Sequence, residues 1–156
     1  MLDRYTKYTS TRISPEAPVP VAVKDSHRIM LGGAGNVAAN LNSLGADVHL
    51  ISMVGKDNNA ELLRSLCNDY GIKHTLCEGL KSTTTKERIV VNGQQVLRID
   101  NEDTNVEYEL DINGIDFSIF DIVVVSDYNK GCITEDLVKK IYRNYNGPII
   151  CDPKGV

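Results

Sequence analysis

Apolar residues recur at helical spacing in three segments of the chain. The first helix is predicted behind the small-residue turn 32–35 and ends at Gly45. The second runs from a capping Asp57 to a stop at Gly71, and the third begins at Thr134. The expected buried positions are Val37, Ala38, Leu41 and Leu44 in the first, Leu62, Leu63, Leu66, Cys67 and Tyr70 in the second, and Leu137, Val138, Ile141, Tyr142 and Tyr145 in the third.

Short apolar runs between these helices predict strands. They cover residues 48–54, 72–77, 120–125 and 149–151. The run 120–125 is almost wholly apolar, which predicts a strand that is buried on both faces. Strands that alternate with helices in this way are typical of an α/β fold with parallel strands.

Two extended segments interrupt this alternation. Pro15, Pro18 and Pro20 exclude a central helix near the N-terminus, and residues 18–23 are expected to form an edge strand. Farther on, Asn92-Gly93 predicts a hairpin between segments 83–91 and 94–100, because both turn positions need positive φ. We expect the hairpin and the N-terminal strand to share a small, separate sheet.

Composition narrows the possible partners and the compartment. The 156 residues carry a net charge of −4 without a cluster of Lys or Arg, so neither nucleic acid nor an anionic membrane is an expected partner. The four cysteines are widely spaced, which is typical of free thiols in a reducing compartment. No apolar run approaches the roughly 18 residues of a membrane span or resembles a signal peptide, so we expect a cytoplasmic protein.

The segment Gly32-Gly33-Ala34-Gly35-Asn36 is the strongest candidate for a binding loop. Its glycines let the backbone approach a ligand, and Asn36 both donates and accepts hydrogen bonds, which suits a polyol. A helix start packed tightly on a strand is the simpler interpretation. A third interpretation is a dinucleotide fingerprint at Gly33, Gly35 and Ala38, with Asp57 about twenty residues on. That fingerprint should follow a long buried strand, whereas only residues 28–31 are expected to intervene after a polar stretch.

We call the segment 32–36 the glycine loop. Together with Ala38, Gly45 and Gly55, it resembles the first signature of the ribokinase/PfkB carbohydrate kinases. Other segments resemble the bacterial heptose 7-phosphate kinases within that family. They are 1–5, 12–21, Thr85-Lys86-x-Arg88, Gln94-Gln95 followed by Arg98-x-Asp100, Ser126-Asp127-Tyr128-x-Lys130-Gly131 and Asp152-Pro153-Lys154-Gly155. General sugar kinases do not share the segment 12–21, which argues against another PfkB kinase.

The resemblance implies a three-layer α/β/α domain with a small β-sheet lid at about 11–24 and 83–100. Residues 1–156 would then be the N-terminal part of a single sugar-kinase domain, and both ends are expected to be cut. The implied reaction uses ATP and magnesium to phosphorylate the anomeric hydroxyl of D-glycero-D-manno-heptose 7-phosphate, for ADP-heptose and lipopolysaccharide core synthesis. The implied partners are this sugar phosphate and a second copy of the chain, bound through the lid.

The resemblance also assigns site residues. Asp3, Gly32, Gly33 and Asn36 would hold the sugar hydroxyls, and Lys86 and Arg88 the sugar's phosphate. Lys154 would face the nucleotide, and Asp127 and Asp152 would lie in the active-site crevice. Without the resemblance, Lys86 and Arg88 are typical of a solvated strand face, Lys154 of a loop, and Asp127 of a turn.

The sequence departs from the family at the catalytic centre. A Gly-Ala-Gly-Asp loop, which in the family forms the anion hole and supplies the base, does not occur after Gly35. We therefore expect the base to lie outside this chain, and the chain alone to lack kinase activity. The alternatives are another PfkB-type sugar kinase, a non-catalytic dimerisation or sugar-binding module, and a dinucleotide-binding oxidoreductase.

Overall fold

A computed structural model of the chain describes residues 1–103 and 109–154. In chain order the elements are β1 (Leu2–Ile13), β2 (Pro20–Leu31), α1 (Ala34–Ser43), β3 (His49–Gly55), α2 (Asn58–Asp69), β4 (Lys73–Leu80), β5 (Thr85–Val91), β6 (Gln94–Asn101), a 3₁₀ turn (Phe117–Ile119), β7 (Val123–Asp127), α3 (Glu135–Asn144) and β8 (Ile149–Pro153).

The three predicted helices are confirmed, and two of them begin at the predicted caps. The Asp57 side chain accepts from the N–H of Ala60, and the Thr134 hydroxyl accepts from the N–H of Leu137. Each contact satisfies one of the free N–H groups in a first helical turn.

Several helix positions that were expected to be buried are exposed. Leu44 is 83% exposed and Tyr142 75%, while Leu62 and Tyr70 also face outward. In α2 the buried face is formed by Ala60, Leu63 and Cys67. These positions are three and four residues apart, so they lie on one stripe that is narrower than the predicted one.

The N-terminal strands and the predicted hairpin form one sheet, which we call the four-stranded sheet. Its order is β2-β1-β5-β6, with β1 antiparallel to β2, parallel to β5, and β5 antiparallel to β6. Residues 20–23 of the expected segment 18–23 do belong to an edge strand, whereas Pro18 and Val19 precede it. However, β2 continues to Leu31, so the glycine loop follows a strand of 12 residues rather than a four-residue segment. Most of β2 is exposed, and the strand pairs with β1 in antiparallel fashion.

The remaining strands form two parallel pairs, β3 with β4 and β7 with β8. The prediction of a strand at 120–125 that is buried on both faces was wrong. The strand begins at Val123, and Val125 is its only buried residue. Successive side chains of a strand point to opposite faces, and in β7 Val125 faces the core whereas Val124 is 38% exposed.

Two hydrophobic clusters stabilise the fold. One joins β1 and β2 to α1, β3 and α2; its buried residues are Leu2, Leu31, Ala38, Leu50, Val54, Ala60, Leu63, Cys67 and Ile72. The second joins β3 to β7, α3 and the segment before β7; its buried residues are Met53, Leu110, Ile112, Phe117, Val125, Leu137, Ile141 and Tyr145. Strand β3 contributes to both clusters, so it links the two parts of the chain.

All four cysteines are free thiols, as the sequence predicted. Within the described ranges, no helix is long and apolar enough to cross a membrane.

Candidate functional site

The glycine loop is pressed against the start of β1. The N–H of Gly32 donates to the carbonyl of Met1 at 3.0 Å. A Cβ atom on Gly32 would lie 2.7 Å from Oδ2 of Asp3, so any other residue here would force the carboxylate to move. With glycine at this position, the Asp3 carboxylate lies directly beside the loop backbone.

Gly33 is the N-cap of α1 and has φ of +55°, a conformation that favours glycine. A Cβ atom here would lie 3.0 Å from Cε of Met1 and 3.6 Å from the Tyr128 ring. Asn36 follows in the first turn of α1, where its N–H donates to the Gly33 carbonyl and its side chain is exposed. The amide of Asn36 is thus accessible next to the loop.

A set of charged residues lies on one face of the four-stranded sheet; we call it the charged face. Register places Asp3 opposite Lys86 and Lys86 opposite Asp100, while Arg88 lies opposite Arg98. Because side chains two residues apart share a face, these five residues project on the same side of three neighbouring strands. The charged face consists of Asp3 on β1, Lys86 and Arg88 on β5, and Arg98 and Asp100 on β6.

Each cation of the charged face contacts a carboxylate. Nη1 of Arg88 lies 3.0 Å from Oδ1 of Asp3, and Nζ of Lys86 lies 3.0 Å from Oδ2 of Asp100. The Arg88 guanidinium also lies over the Tyr5 ring at 4.9 Å. Lys86 is only 7% exposed, so it is not a lysine on a solvated strand face. A buried ammonium of this kind must keep an ionic partner.

The ion pairs shift two pKa values on the charged face. The hydrogen bond from Lys86, followed by that from Arg98, lowers the pKa of Asp100. The hydrogen bond to Asp3 raises the pKa of Arg88. The charged face therefore holds three cations against two carboxylates, which leaves one positive charge in excess.

The nucleotide-side candidates lie at the carboxyl ends of β7 and β8. Asp127 pairs with Pro153 across these strands, and the N–H of Lys154 donates to the Asp127 carbonyl at 2.9 Å. Nζ of Lys154 lies 5.6 Å from the centre of the Tyr128 ring. The Tyr128 ring therefore lies between Lys154 and Gly33. It packs between the ends of β7 and β8 and the glycine loop.

The two aspartates predicted for the active-site crevice are Asp127, which ends β7, and Asp152, which lies on β8. Oδ1 of Asp127 accepts from the N–H of Asn129 at 2.7 Å, so this carboxylate does stabilise a turn, with its second oxygen left for other partners. Asp152 is exposed on β8. Gly155 of the last motif lies outside the described residues.

The described residues contain no group of three or more His, Cys, Asp or Glu side chains that could hold a metal ion. They do not form a preformed magnesium cage. Magnesium commonly binds through one or two carboxylates together with substrate phosphates and water, and Asp127 and Asp152 are the carboxylates at the strand ends.

Sequence reasoning missed three residues that the structure brings to this site. Tyr5 and Arg98 contact members of the charged face, and Tyr128 joins the two halves of the site. Arg98 and Tyr128 stand within quoted motifs, so the motif itself was the available signal. Tyr5 stands in the segment 1–5, so the same signal was available for it, and the pairing register of β1 and β5 places it opposite Arg88.

Comparison with solved structures identifies the fold class of the chain. The chain is similar in structure to phosphofructokinase-2 from Escherichia coli, with a TM-score of 0.66 at 17% identity over 98% of this chain and 52% of that one. It is also similar to a ribokinase from Thermotoga maritima, with a TM-score of 0.56 at 18% identity over 97% of this chain and 50% of that one. The fold is the ribokinase-like α/β fold, present in part.

The family is set by sequence. Residues 4–155 match the model of the pfkB family carbohydrate kinases, and the chain belongs to that family. The chain is 36% identical to the bifunctional protein HldE of a Nitratiruptor species and 43% identical to that of Campylobacter jejuni subsp. doylei, in both cases over 99% of this chain. It covers 35% and 34% of those proteins, so it spans about a third of their length.

Proposed function

We propose that the chain is the sugar-phosphate-binding part of a kinase that acts on D-glycero-D-manno-heptose 7-phosphate. The reaction transfers a phosphoryl group from ATP to the anomeric hydroxyl, for ADP-heptose and lipopolysaccharide core synthesis in the cytoplasm. The identity of 36–43% to proteins named HldE supports this substrate over other sugars. The observation that carries the proposal is the charged face, which puts two cations next to the glycine loop through Asp3.

The sugar end of the site is formed by Asp3 and the glycine loop. The carboxylate of Asp3 accepts hydrogen bonds from sugar hydroxyls, while the exposed Asn36 amide both donates and accepts. Gly32 and Gly33 have no side chains, so the loop backbone lies against the Asp3 carboxylate and the Tyr128 ring, and both groups are held beside the loop where a sugar would bind.

The phosphate end is formed by Lys86 and Arg88. Both cations are held on one strand, two residues apart on the same face, by Asp100 and by Asp3 with Tyr5. A doubly charged phosphate makes charge-assisted hydrogen bonds to such a pair. A sugar phosphate that lies between the charged face and the glycine loop would contact both groups of residues at once.

Lys154 faces the nucleotide phosphates in this proposal. ATP supplies the phosphoryl group, and magnesium that arrives with the nucleotide would be held by its phosphates together with Asp127 or Asp152. The described residues orient the acceptor sugar. The anion hole and the base belong to a Gly-Ala-Gly-Asp loop that these 156 residues do not contain, so the chain alone does not turn over.

The four-stranded sheet also supports a homodimer. Several apolar side chains on its strands are exposed: Ile13 is 64% exposed, Val23 67%, Val96 57% and Leu97 54%. Burial of such residues against a second copy would stabilise both subunits.

A thermal-shift panel with heptose 7-phosphate, fructose 6-phosphate, Mg-ATP and NAD tests the proposal. A ligand at about 100 times its dissociation constant adds roughly 2.7 kcal/mol. For a chain of this size that corresponds to a rise in Tm of roughly 5–11 °C. A rise with heptose 7-phosphate but not with fructose 6-phosphate is expected. An equal rise with both would favour another PfkB-type sugar kinase, and a rise with NAD alone would favour an oxidoreductase. No rise with any sugar phosphate would contradict a sugar-phosphate site within this chain and leave a dimerisation module.

A further inference from the structure

Arg98 and Asp100 form a bidentate ion pair at the edge of the charged face. Nε of Arg98 donates to Oδ1 of Asp100 at 2.8 Å, and Nη2 of Arg98 donates to Oδ2 at 2.9 Å. Oδ2 is the same oxygen that accepts from Nζ of Lys86 at 3.0 Å. Both carboxylate oxygens of Asp100 therefore have a guanidinium donor, whether or not Lys86 is present.

The other carboxylate of the charged face has a different set of partners. Asp3 pairs with Arg88, and no further cation contacts it among the described residues. Arg88 has a second support because it lies over the Tyr5 ring. Release of Arg88 from Asp3 leaves a carboxylate next to the glycine loop, where sugar hydroxyls can take the place of the guanidinium.

The local pairing of charges explains why Arg98 matters. With Arg98, Asp100 contacts two cations, whereas without it Lys86 is the one cation of the charged face that Asp100 contacts. The register also places Lys7 and Arg28 on this side of the sheet, so Arg98 matters through its contact with Asp100 rather than through the net charge. Lys86 is also largely buried, so its turn toward a ligand would leave Asp100 without a cation unless Arg98 stays in place.

We infer that Arg98 is a positioning residue that compensates Asp100 while Lys86 moves from that carboxylate to the phosphate of the ligand. This inference rests on the proposed function, in which Lys86 and Arg88 hold the phosphate. Arg98 itself is half exposed and does not have to touch the ligand. Its effect is on the affinity for the phosphate group, and the sugar ring is held by other residues.

Titration of the 156-residue chain with inorganic phosphate tests the inference. The variants are Arg98→Ala, Arg98→Lys and the control Arg12→Ala, which removes the same charge from an exposed position nine residues along β1 from Asp3. We expect Arg98→Ala to weaken phosphate binding about tenfold or more. Arg98→Lys should restore part of the affinity, because it keeps the charge but not the two parallel hydrogen bonds. Arg12→Ala should stay within about twofold.

The ¹⁵N signal of Lys86 Nζ gives a readout that a merely structural role of Arg98 would not move. It should shift on addition of phosphate to the wild-type chain and to Arg12→Ala, and it should not shift in Arg98→Ala at the same concentration. Equal phosphate affinities for Arg98→Ala and Arg12→Ala would overturn the inference. So would a wild-type chain that binds no phosphate, or a Lys86 signal that phosphate leaves unchanged.

A second titration separates this inference from the proposed substrate. Heptose 7-phosphate, fructose 6-phosphate and unphosphorylated heptose are compared on the same variants. If both phosphorylated sugars bind equally and both depend on Arg98, the inference holds and the heptose assignment fails. If heptose binds as tightly as heptose 7-phosphate, the sugar site holds and the inference fails.

Discussion

The residue that caps α2 also holds the start of β5. Asp57 accepts from the N–H of Ala60 through Oδ1, and its Oδ2 accepts from the N–H of Thr83 at 2.8 Å. The Thr83 hydroxyl donates to Oδ1 of Asp57 at 2.7 Å and accepts from the N–H of Gly55 at 3.0 Å. Thr83 is completely buried and lies two residues before β5, so this contact fixes the strand that carries Lys86 and Arg88 to the end of β3.

Asp57→Ala should destabilise the chain by about 2–4 kcal/mol. Loss of a helix cap costs about 0.5–2 kcal/mol, and a buried hydroxyl without its acceptor costs about 1–3 kcal/mol more. Urea unfolding measures the change. Asp57→Asn keeps an oxygen acceptor for the cap but presents an amide N–H to the N–H of Thr83, so it removes the bond to Thr83 and spares the cap. Its expected loss is smaller than that of Asp57→Ala by about the contribution of the cap, and equal losses for the two variants would show that the cap adds nothing to this contact.

The same contact predicts a pH dependence. Burial alone raises the pKa of Asp57, but hydrogen bonds from Thr83 and Ala60 outweigh it, so the pKa is lowered in the folded chain. A depressed folded pKa stabilises the fold above the unfolded value of about 3.9, and this stabilisation is lost as pH falls through the folded pKa. The difference in unfolding free energy between wild type and Asp57→Asn should therefore be constant from pH 7 to about 5 and shrink below about 4. A gap that stays constant down to about pH 2.5 would contradict this.

Local signals in the sequence were enough for most of the fold. Asp57 and Thr134 marked the helix starts correctly, and Asn92-Gly93 marked the hairpin, because caps and tight turns depend on only a few neighbouring residues. The length of β2 was missed because the strand is mostly polar and exposed, which hides it from any prediction based on apolar runs. The burial of β7 was overestimated for the opposite reason, since an apolar run does not reveal whether both faces of the strand are covered.

The candidate site was predictable only in part. Motif resemblance selected Asp3, Lys86 and Arg88, and register brings them to one face. The ion pairs of Arg88 with Asp3 and of Lys86 with Asp100 depend on which strands are neighbours. Strand β1 pairs with β5, which lies more than 80 residues farther along the chain. No local pattern carries that information, so the role of Arg98 came from the structure alone.

Lys86→Met should abolish most of the binding of phosphorylated ligands at little cost in stability. Met has a similar length and suits a buried position, and Asp100 keeps both hydrogen bonds from Arg98. We expect an unfolding free energy within about 1 kcal/mol of wild type and an affinity for heptose 7-phosphate at least about tenfold lower. Lys73→Met is the control, because Lys73 pairs with Asp47 at an exposed position and should change neither quantity measurably. Unchanged ligand affinity in Lys86→Met would remove Lys86 from the site.

Gly32→Ala should impair sugar binding by moving Asp3. The new methyl group would lie 2.7 Å from Oδ2 of Asp3 and 2.9 Å from its Cγ, so the carboxylate has to rotate away and lose its contact with Arg88. Gly45→Ala is a useful control, since Gly45 has φ of +95° but open space around it. That variant should lose about 1 kcal/mol of stability through backbone strain alone and bind the sugar normally. Comparison of the two by calorimetric titration with heptose 7-phosphate separates loss of stability from loss of the site. Normal binding by Gly32→Ala would show that Asp3 does not contact the sugar.

Gly55→Ala and Gly79→Ala should differ sharply in stability although both add one methyl group within a tight space. A Cβ atom on Gly55 would lie 2.6 Å from the backbone nitrogen of Thr83 and 2.7 Å from the carbonyl carbon of Ser82, and neither atom can move without shifting the start of β5. A Cβ atom on Gly79 would lie 2.5 Å from Cε of Met53, which is the end of a flexible side chain. We expect Gly55→Ala to lose about 1–3 kcal/mol or more, as overpacked sites do, and Gly79→Ala to lose less than about 1 kcal/mol.

Urea unfolding of both variants measures these losses. Phosphate titration should show weaker binding only for Gly55→Ala, because only that substitution displaces the strand that bears Lys86 and Arg88. Similar stabilities for the two would mean that the segment before β5 adjusts freely, and the contact of Asp57 with Thr83 would then not fix the position of the charged face.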